Sequence, residues 1–335
     1  PRIEMIAQNI IATLNKPFIL DQNKVEHFIS TSIGIVLYPA DGLDLESLMK
    51  HADQAMYKAK LEGRSRFCYF TRSMQFEAYE KMTLTHQLRS ALAKNELQVH
   101  YQPILDLSSK RIIKAEALLR WNHANRGLID SSIFIPIAEE SGLINEIGNW
   151  VFMQACTLIK RWLDEFGTII QISVNVSPIQ FKYFNKYAWS EKLNELGLPG
   201  NCINVEITEG LLLKDTSDVK DRLLEYRNAG IEVSIDDFGT GFSSLSYLKR
   251  FDIDYLKIDR SFISNLINNE TDRALVEAII VMAHKLDIYT IAEGVESREQ
   301  QDLLTQFGCD YVQGFYYSPA IQTDEFERLL VNQQT

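Results

Sequence analysis

Cysteine is scarce in this chain: Cys68, Cys156, Cys202 and Cys309 lie far apart in apolar runs, and none belongs to a CxxC pair. That excludes a disulfide framework and a thiolate zinc site, and it fits the reduced core thiols of a cytosolic protein. Histidine is equally sparse, six residues without an HxxxH spacing, so an imidazole zinc centre has no candidate ligands. Basic charge is in deficit. Lys and Arg total 34 against 45 Asp and Glu, a net charge of -11, which argues against gripping a nucleic-acid polymer through a basic surface. A small anionic ligand held locally through metal ions remains compatible with that balance. No apolar run reaches the length of a membrane span, and the opening PRIEMIAQNI lacks the layout of a signal peptide. It starts mid-helix without Met, so the chain is expected to be a piece of a longer cytoplasmic protein whose sensor or membrane anchor lies in upstream domains.

What is present is apolar residues, 46% of 335, enough for one large domain and a smaller one. Ile3 to Leu14 has helical spacing, Phe28 to Tyr38 alternates as a strand does, and Leu45 to Ala59 carries one apolar face of a helix ending at Gly63. Thr71 to Leu92 contains no Gly or Pro and reads as a helix connecting two domains.

Downstream of Leu97 one theme repeats: a short apolar strand with a polar residue near its C-terminal end, followed by a helix. The strands are Leu97 to Ile104, Ile112 to Leu119, Ile169 to Val176, Cys202 to Ile207, Ile231 to Asp236, Tyr255 to Ile258, Ile288 to Ala292 and Tyr311 to Phe315. Eight strands alternating with helices predict an α/β fold of the TIM-like (β/α)8 barrel type. The link from Pro103 to Ile112 is too short for a crossover helix, so the first two strands are predicted to form an antiparallel hairpin, with one barrel strand reversed.

Such barrels carry their chemistry on the C-terminal rim. In strand order the rim candidates are Glu116, Asn175, Glu206, Asp236 with Asp237, Lys257 with Asp259, Glu293 and Gln313. Each alone has an ordinary explanation, such as a cap, a turn or a surface pair. Together they place more acid at one end of a core than is stable without counter-ions. Adjacent carboxylates such as Asp236 and Asp237 repel unless a cation or a shared proton intervenes. Carboxylate and amide oxygens suit hard ions, Mg²⁺ or Mn²⁺, and this many acids make a two-metal site of the kind used in phosphodiester hydrolysis plausible. Gly239, Thr240, Gly241, Ser243 and Ser244 follow as a hydroxyl-bearing loop.

Two stretches resemble known families. SIGIVLYPADG followed by HADQAMYKAKLEGRSRFCYF is similar to the C-terminal half of a GGDEF domain, the diguanylate cyclase fold, without its Gly-Gly-Asp/Glu-Glu-Phe hairpin. No cyclase activity is assigned to residues 1–70, and the open edges of a partial sheet are expected to leave this part poorly ordered or paired with another copy. The second resemblance starts at Glu116-Ala117-Leu118-Leu119-Arg120-Trp121. With YQPI, NVS, EITE, DDFGTGFSSL, KIDRSFI, AEGVE and QGFYYSP following in order, it resembles an EAL-domain phosphodiesterase over roughly Leu84 to Leu330. The organisation expected is residues 1–70, a connecting helix 71–92, and an EAL domain over 84–335.

The EAL resemblance implies hydrolysis of cyclic di-GMP to linear pGpG with two Mg²⁺ or Mn²⁺ ions. It implies Glu116, Asn175, Glu206 and Asp236 on one ion and Asp236, Asp237 and Glu293 on the other. Lys257 is implied to act on the attacking water, Glu209 to brace the loop Phe238 to Leu245, and Asp259 and Glu296 to support the ligands from behind. For the substrate it implies Gln102, Leu118, Arg120 and Gln313, and for assembly a homodimer. Gly210 stands where the family commonly has Ser, and His123-Ala124 where His-Pro is frequent; neither position is a ligand. The alternatives are a receptor that binds cyclic di-GMP without cutting it, and a scaffold acting through partner contacts. Retention of every ligand position argues against the first, and no motif supports the second.

Overall fold

The computed structural model describes residues 2–19, 26–183, 188–212, 217–240, 248 and 251–333. The chain divides into two compact units, Pro1–Gln87 and Leu88–Thr335, with the division inside the helix Arg72–Ala91.

In the first unit the helix Arg2–Leu14 precedes a small antiparallel pair, β1 (Phe18–Ile19) and β2 (Glu26–His27). A parallel pair follows, β3 (Ser32–Ile35) and β4 (Arg66–Tyr69), joined through the helix Leu45–Leu61. Asp44 caps that helix by accepting from the Ser47 amide at 2.8 Å. The strand read over Phe28 to Tyr38 is therefore shorter than its alternation suggested. Gly34 explains where it sits: a Cβ there would lie 1.9 Å from the Ala52 carbonyl oxygen, so only glycine lets strand and helix approach this closely.

The second unit is a closed barrel. Its strands are β5 (Leu97–Asp106), β6 (Arg111–His123), β7 (Gly127–Ile129), β8 (Gln171–Asn175), β9 (Ile203–Thr208), β10 (Glu232–Phe238), β11 (Tyr255–Ile258), β12 (Tyr289–Ala292) and β13 (Tyr311–Gln313). The sheet runs β5-β13-β12-β11-β10-β9-β8-β6, closes through β5 and β6, and carries β7 as an outer hairpin partner of β6. Only β5 is antiparallel to both its barrel neighbours. The cause is the short turn between Asp106 and Arg111, where Lys110 takes a positive φ and its amide donates to the Asp106 carbonyl. Most strand ends shift by one or two residues from their sequence ranges, and two differences have a visible cause. β6 runs on to His123 to pair with β7, which apolar periodicity alone does not reveal, and β13 stops at Gln313. There Gly314 lies against Val295, whose backbone oxygen would be 2.1 Å from an added Cβ, and the chain turns away.

Period-two alternation stacks the barrel interior in levels. At the N-terminal mouth the buried Lys114 donates to Gln171 Oε1 at 2.6 Å and lies 3.2 Å from the centroid of the Tyr255 ring. Above it Asn204 donates to the hydroxyls of Ser173 (2.8 Å) and Ser234 (2.6 Å). Two residues further along the same strands, and on the same interior face, come Glu116, Asn175, Glu206, Asp236 and Lys257. The polar column pairs amide with hydroxyl at its lower level and concentrates charge at the upper one.

Outside, the helix Thr323–Asn332 ends with Gln333 clamping the start of β6: its Oε1 accepts from the Ile112 amide at 2.7 Å and its Nε2 donates to the Ile112 carbonyl at 3.1 Å. A side-chain amide thus completes backbone pairing that no strand supplies. Gln333→Ala is expected to cost about 1 kcal/mol and lower the melting temperature by about 2 to 4 °C; an unchanged melting curve would contradict the clamp.

Candidate active site

The strand register brings the rim residues together. Gln102 and Glu116 are directly paired across β5 and β6, Asn175 pairs with Glu206 across β8 and β9, and Glu206 with Ser234 across β9 and β10. Lys257, only 1% exposed, reaches up from β11 into the middle of the ring. Its Nζ lies 2.7 Å from Glu206 Oε2, 2.7 Å from Glu293 Oε1, 3.1 Å from Asp236 Oδ1 and 3.5 Å from Glu116 Oε2. Residues more than 170 positions apart in the chain converge because parallel strands end at the same mouth.

Glu116 is held on both oxygens, Oε1 accepting from Asn175 Nδ2 at 2.7 Å and Oε2 from Gln313 Nε2 at 2.6 Å. Gln313 also donates to Gln102 Oε1 at 3.0 Å, and Gln102 in turn donates to the Ser318 carbonyl at 3.2 Å. Asn175 and Gln313 thus fix one carboxylate through their N–H groups and leave their own acceptor oxygens for other use. Asp237, at a positive φ of 55°, Asp236 and Glu293 each offer an oxygen within 4.8 Å of the others.

Electrostatics follow from burial and crowding. Burial disfavours charge on Lys257, yet Asp236, Glu116, Glu206 and Glu293 together hold its ammonium well above the ordinary lysine range. Burial and the neighbouring Glu116 push Glu206 well above the usual carboxylate range, although Lys257 pulls the other way. Burial lifts Glu293 to about 7 against the pull of Lys257. Asp237 is raised by burial, then by Asp236 and Asp259. One ammonium against this many acids leaves the ring short of positive charge.

Whether divalent cations fit can be judged from the oxygens themselves. Glu206 Oε1 and Gln313 Oε1 are buried and receive no hydrogen bond among the described residues, a costly state for acceptors that a cation relieves. The donor set is all oxygen, as hard divalent ions require. The residues present fit the group.

Beside the ring, Leu118 and Arg120 open onto a cleft of about 310 Å³ that reaches Asn175, Ser177 and Glu206. Arg120 is half-buried, with Nη1 donating to the Leu119 carbonyl at 3.0 Å.

Comparison with known proteins joins this geometry to a family. Residues 85–320 match the EAL domain, and residues 1–66 match the diguanylate cyclase, GGDEF domain. The chain belongs to the EAL family. It is 41% identical over 312 residues to the bifunctional diguanylate cyclase/cyclic di-GMP phosphodiesterase MucR of Pseudomonas aeruginosa, covering 92% of this chain and 45% of that protein. It is 37% identical over 327 residues to the cyclic di-GMP phosphodiesterase PdeR of Escherichia coli, covering 97% and 49%. The chain thus spans less than half the length of these curated relatives. Among solved structures, the PaMucR phosphodiesterase in complex with c-di-GMP is 39% identical with a TM-score of 0.69, covering 73% of this chain and 99% of that one. The EAL enzyme Bd1971, bound to cAMP and cyclic-di-GMP, is 34% identical with a TM-score of 0.70, covering 76% and 70%.

Within the EAL fold, the other residues singled out in the sequence have varied places. Asp259 caps the helix Arg260–Ser264, its Oδ1 accepting from the Ser261 amide at 2.9 Å, and it also bears on Asp237. Glu296 is exposed; its backbone amide donates to Gln300 Oε1 at 2.7 Å, and its side chain makes no hydrogen bond or ion pair with a ring residue among those described. The loop that Glu209 is expected to brace runs into residues 241–247, outside the described residues, so that pairing is not seen. Both Glu209 carboxyl oxygens are buried without a hydrogen-bond partner among the described residues.

Sequence reading passed over Glu139 and Gln180, which line the EAL cleft from helices rather than strand ends. Glu139 accepts from the Ser177 hydroxyl at 2.6 Å, and Gln180 accepts from the Ser177 amide at 3.0 Å. Neither stands at the end of an apolar strand or in the motifs that carry the EAL resemblance. Lys114 did carry a signal, a charge inside an otherwise apolar strand, and its place is the opposite mouth.

Proposed function

We propose that the chain hydrolyses cyclic di-GMP to linear pGpG with two divalent cations, Mg²⁺ or Mn²⁺. The observation that carries this reading is the convergence of Glu116, Glu206, Asp236 and Glu293 from four strands around one buried ammonium, beside a cleft at the barrel mouth. The names of the relatives and of the structures just described, which include c-di-GMP complexes, supply the substrate class.

In this reading Glu116, Asn175, Glu206 and Asp236 hold one cation and Asp236, Asp237 and Glu293 the other, Asp236 being shared. When bound, the pair supplies Lewis acidity at the phosphoryl oxygens and a more acidic attacking water. The protein's own groups do the positioning. Asn175 and Gln313 orient Glu116 through their amide N–H groups, and Gln102 anchors Gln313. Lys257 places positive charge where the water loses its proton and the phosphate gains charge, which favours in-line attack. Leu118 offers an apolar wall to a guanine base and Arg120 a planar cation suited to phosphate or guanine oxygen. Glu209 acts on the loop after Asp237, and Asp259 and Glu296 support the rim.

Incubating the purified chain with cyclic di-GMP and Mn²⁺ and separating the products by chromatography tests the reading. A pGpG peak is expected. Binding without any product would replace the enzyme with a receptor. The chain is further proposed to work as a cytoplasmic homodimer, as the family resemblance implies; small-angle scattering that reports only monomers at working concentration would refute the dimer. No described helix is long and apolar enough to cross a membrane.

A further inference from the structure

The Lys257 ammonium and an incoming cation compete for the same oxygens. Nζ lies within 3.5 Å of an oxygen from each of Glu116, Glu206, Asp236 and Glu293, and the side chain is 1% exposed. Hard divalent ions shared among those carboxylates need their oxygens at about 2.0 to 2.1 Å, which leaves no room for a nitrogen bonded to the same oxygens at the centre of the ring. The lysine stem is flexible and its head is a compact point charge, so it can withdraw along its own chain without moving β11. We propose that Lys257 is a tethered occupant of the cation site: it holds the four carboxylates together while no divalent ion is bound and retreats when one enters. The inference rests on the metal-dependent reading above and deepens it.

Two consequences separate this role from that of a side chain that merely assists the reaction. In the metal-free protein Lys257 is the counter-charge that keeps the top of the barrel closed, since losing one partner of a buried ion cluster leaves the rest uncompensated. During loading it opposes the metal, because part of the binding energy goes into displacing the ammonium. Positioning of Lys257 beside the attacking water and filling of the metal site then become one event. A lysine that has not retreated marks an unloaded site.

The test compares the unsubstituted chain with Lys257→Met, a side chain of similar length without charge, by calorimetric Mn²⁺ titration and by melting in EDTA and in saturating Mn²⁺. Lys257→Met is expected to melt below the unsubstituted chain in EDTA, to gain more from Mn²⁺, and to bind Mn²⁺ at least about tenfold more tightly. Equal or weaker Mn²⁺ binding by Lys257→Met overturns the inference while leaving the metal-dependent reading intact. Absence of Mn²⁺ binding by the unsubstituted chain overturns both. Should Lys257→Met not fold without metal, the unsubstituted chain decides: acetylation of Lys257, followed by peptide mass spectrometry, is expected to be several-fold faster with Mn²⁺ than in EDTA. Equal protection in the two conditions refutes the displacement.

Discussion

Glu116→Ala and Asp236→Ala are each expected to lower Mn²⁺-dependent hydrolysis of cyclic di-GMP by at least about a thousandfold, the scale of losing a charged group aimed at the reacting centre. The two losses have different structural origins. Glu116 is the carboxylate that two amides converge on, Asn175 and Gln313, the second of them anchored by Gln102. Truncating it removes a cation ligand and also takes an acceptor from the buried Gln313 amide and from the more exposed Asn175 amide, so a fall in melting temperature should accompany the lost turnover. Asp236 sits where both proposed ligand sets meet and lies 3.1 Å from the lysine nitrogen. Its removal relieves like-charge crowding with Asp237, so its metal-free stability should change less than that of Glu116→Ala while its activity falls as far. Either variant retaining most of its turnover would contradict the ligand assignment. Steady-state rates of product formation, with circular-dichroism melts of the same preparations, read both effects.

Exchange of the cation should have a comparably large effect. Stripping the chain with EDTA is expected to abolish hydrolysis and Mn²⁺ to restore it, whereas Ca²⁺ should bind and inhibit. The ring is built from short carboxylate and amide side chains on stiff barrel strands, and its spacing is set by strand register rather than by a pliable loop. Mg²⁺, at about 2.0 to 2.1 Å, takes an octahedron that a few protein oxygens and several waters complete, but Ca²⁺ seeks six to eight oxygens at about 2.3 to 2.6 Å in a looser shell. The carboxylates can hold the larger ion, though not with the spacing that in-line attack requires. Turnover with Ca²⁺ alone at a rate near that with Mn²⁺ would refute this account, and competition between the two ions in the rate assay would support it.

Much of the barrel was legible in the chain. Strands such as Tyr255–Ile258 and Ile203–Thr208 are short apolar runs with regular spacing, and the short link before Arg111 required an antiparallel start. Helix punctuation is equally local: Ser297 and Gln300 form a capping box, and Gly308 ends that helix in the left-handed region. What escaped was whatever depends on a partner distant in sequence. The strand β7 forms because β6 overruns the barrel and offers it an edge. β13 ends early because Val295 meets Gly314, which no local pattern in QGFYYSP announces.

The same division holds for the site. Composition, alternation and the position of polar residues at strand ends determined which side chains reach the mouth of the barrel and that their excess acid calls for hard cations. Only the closed barrel decided their mutual distances. Closure places Lys257 at the centre of four carboxylates, turns the amides of Asn175 and Gln313 onto Glu116, and sends Lys114, two residues earlier on the same strand, to the opposite mouth. The physical reason is that residue type and spacing select a face and a level within a strand, whereas the charge environment arises from strands that meet only when the sheet curls and closes on itself.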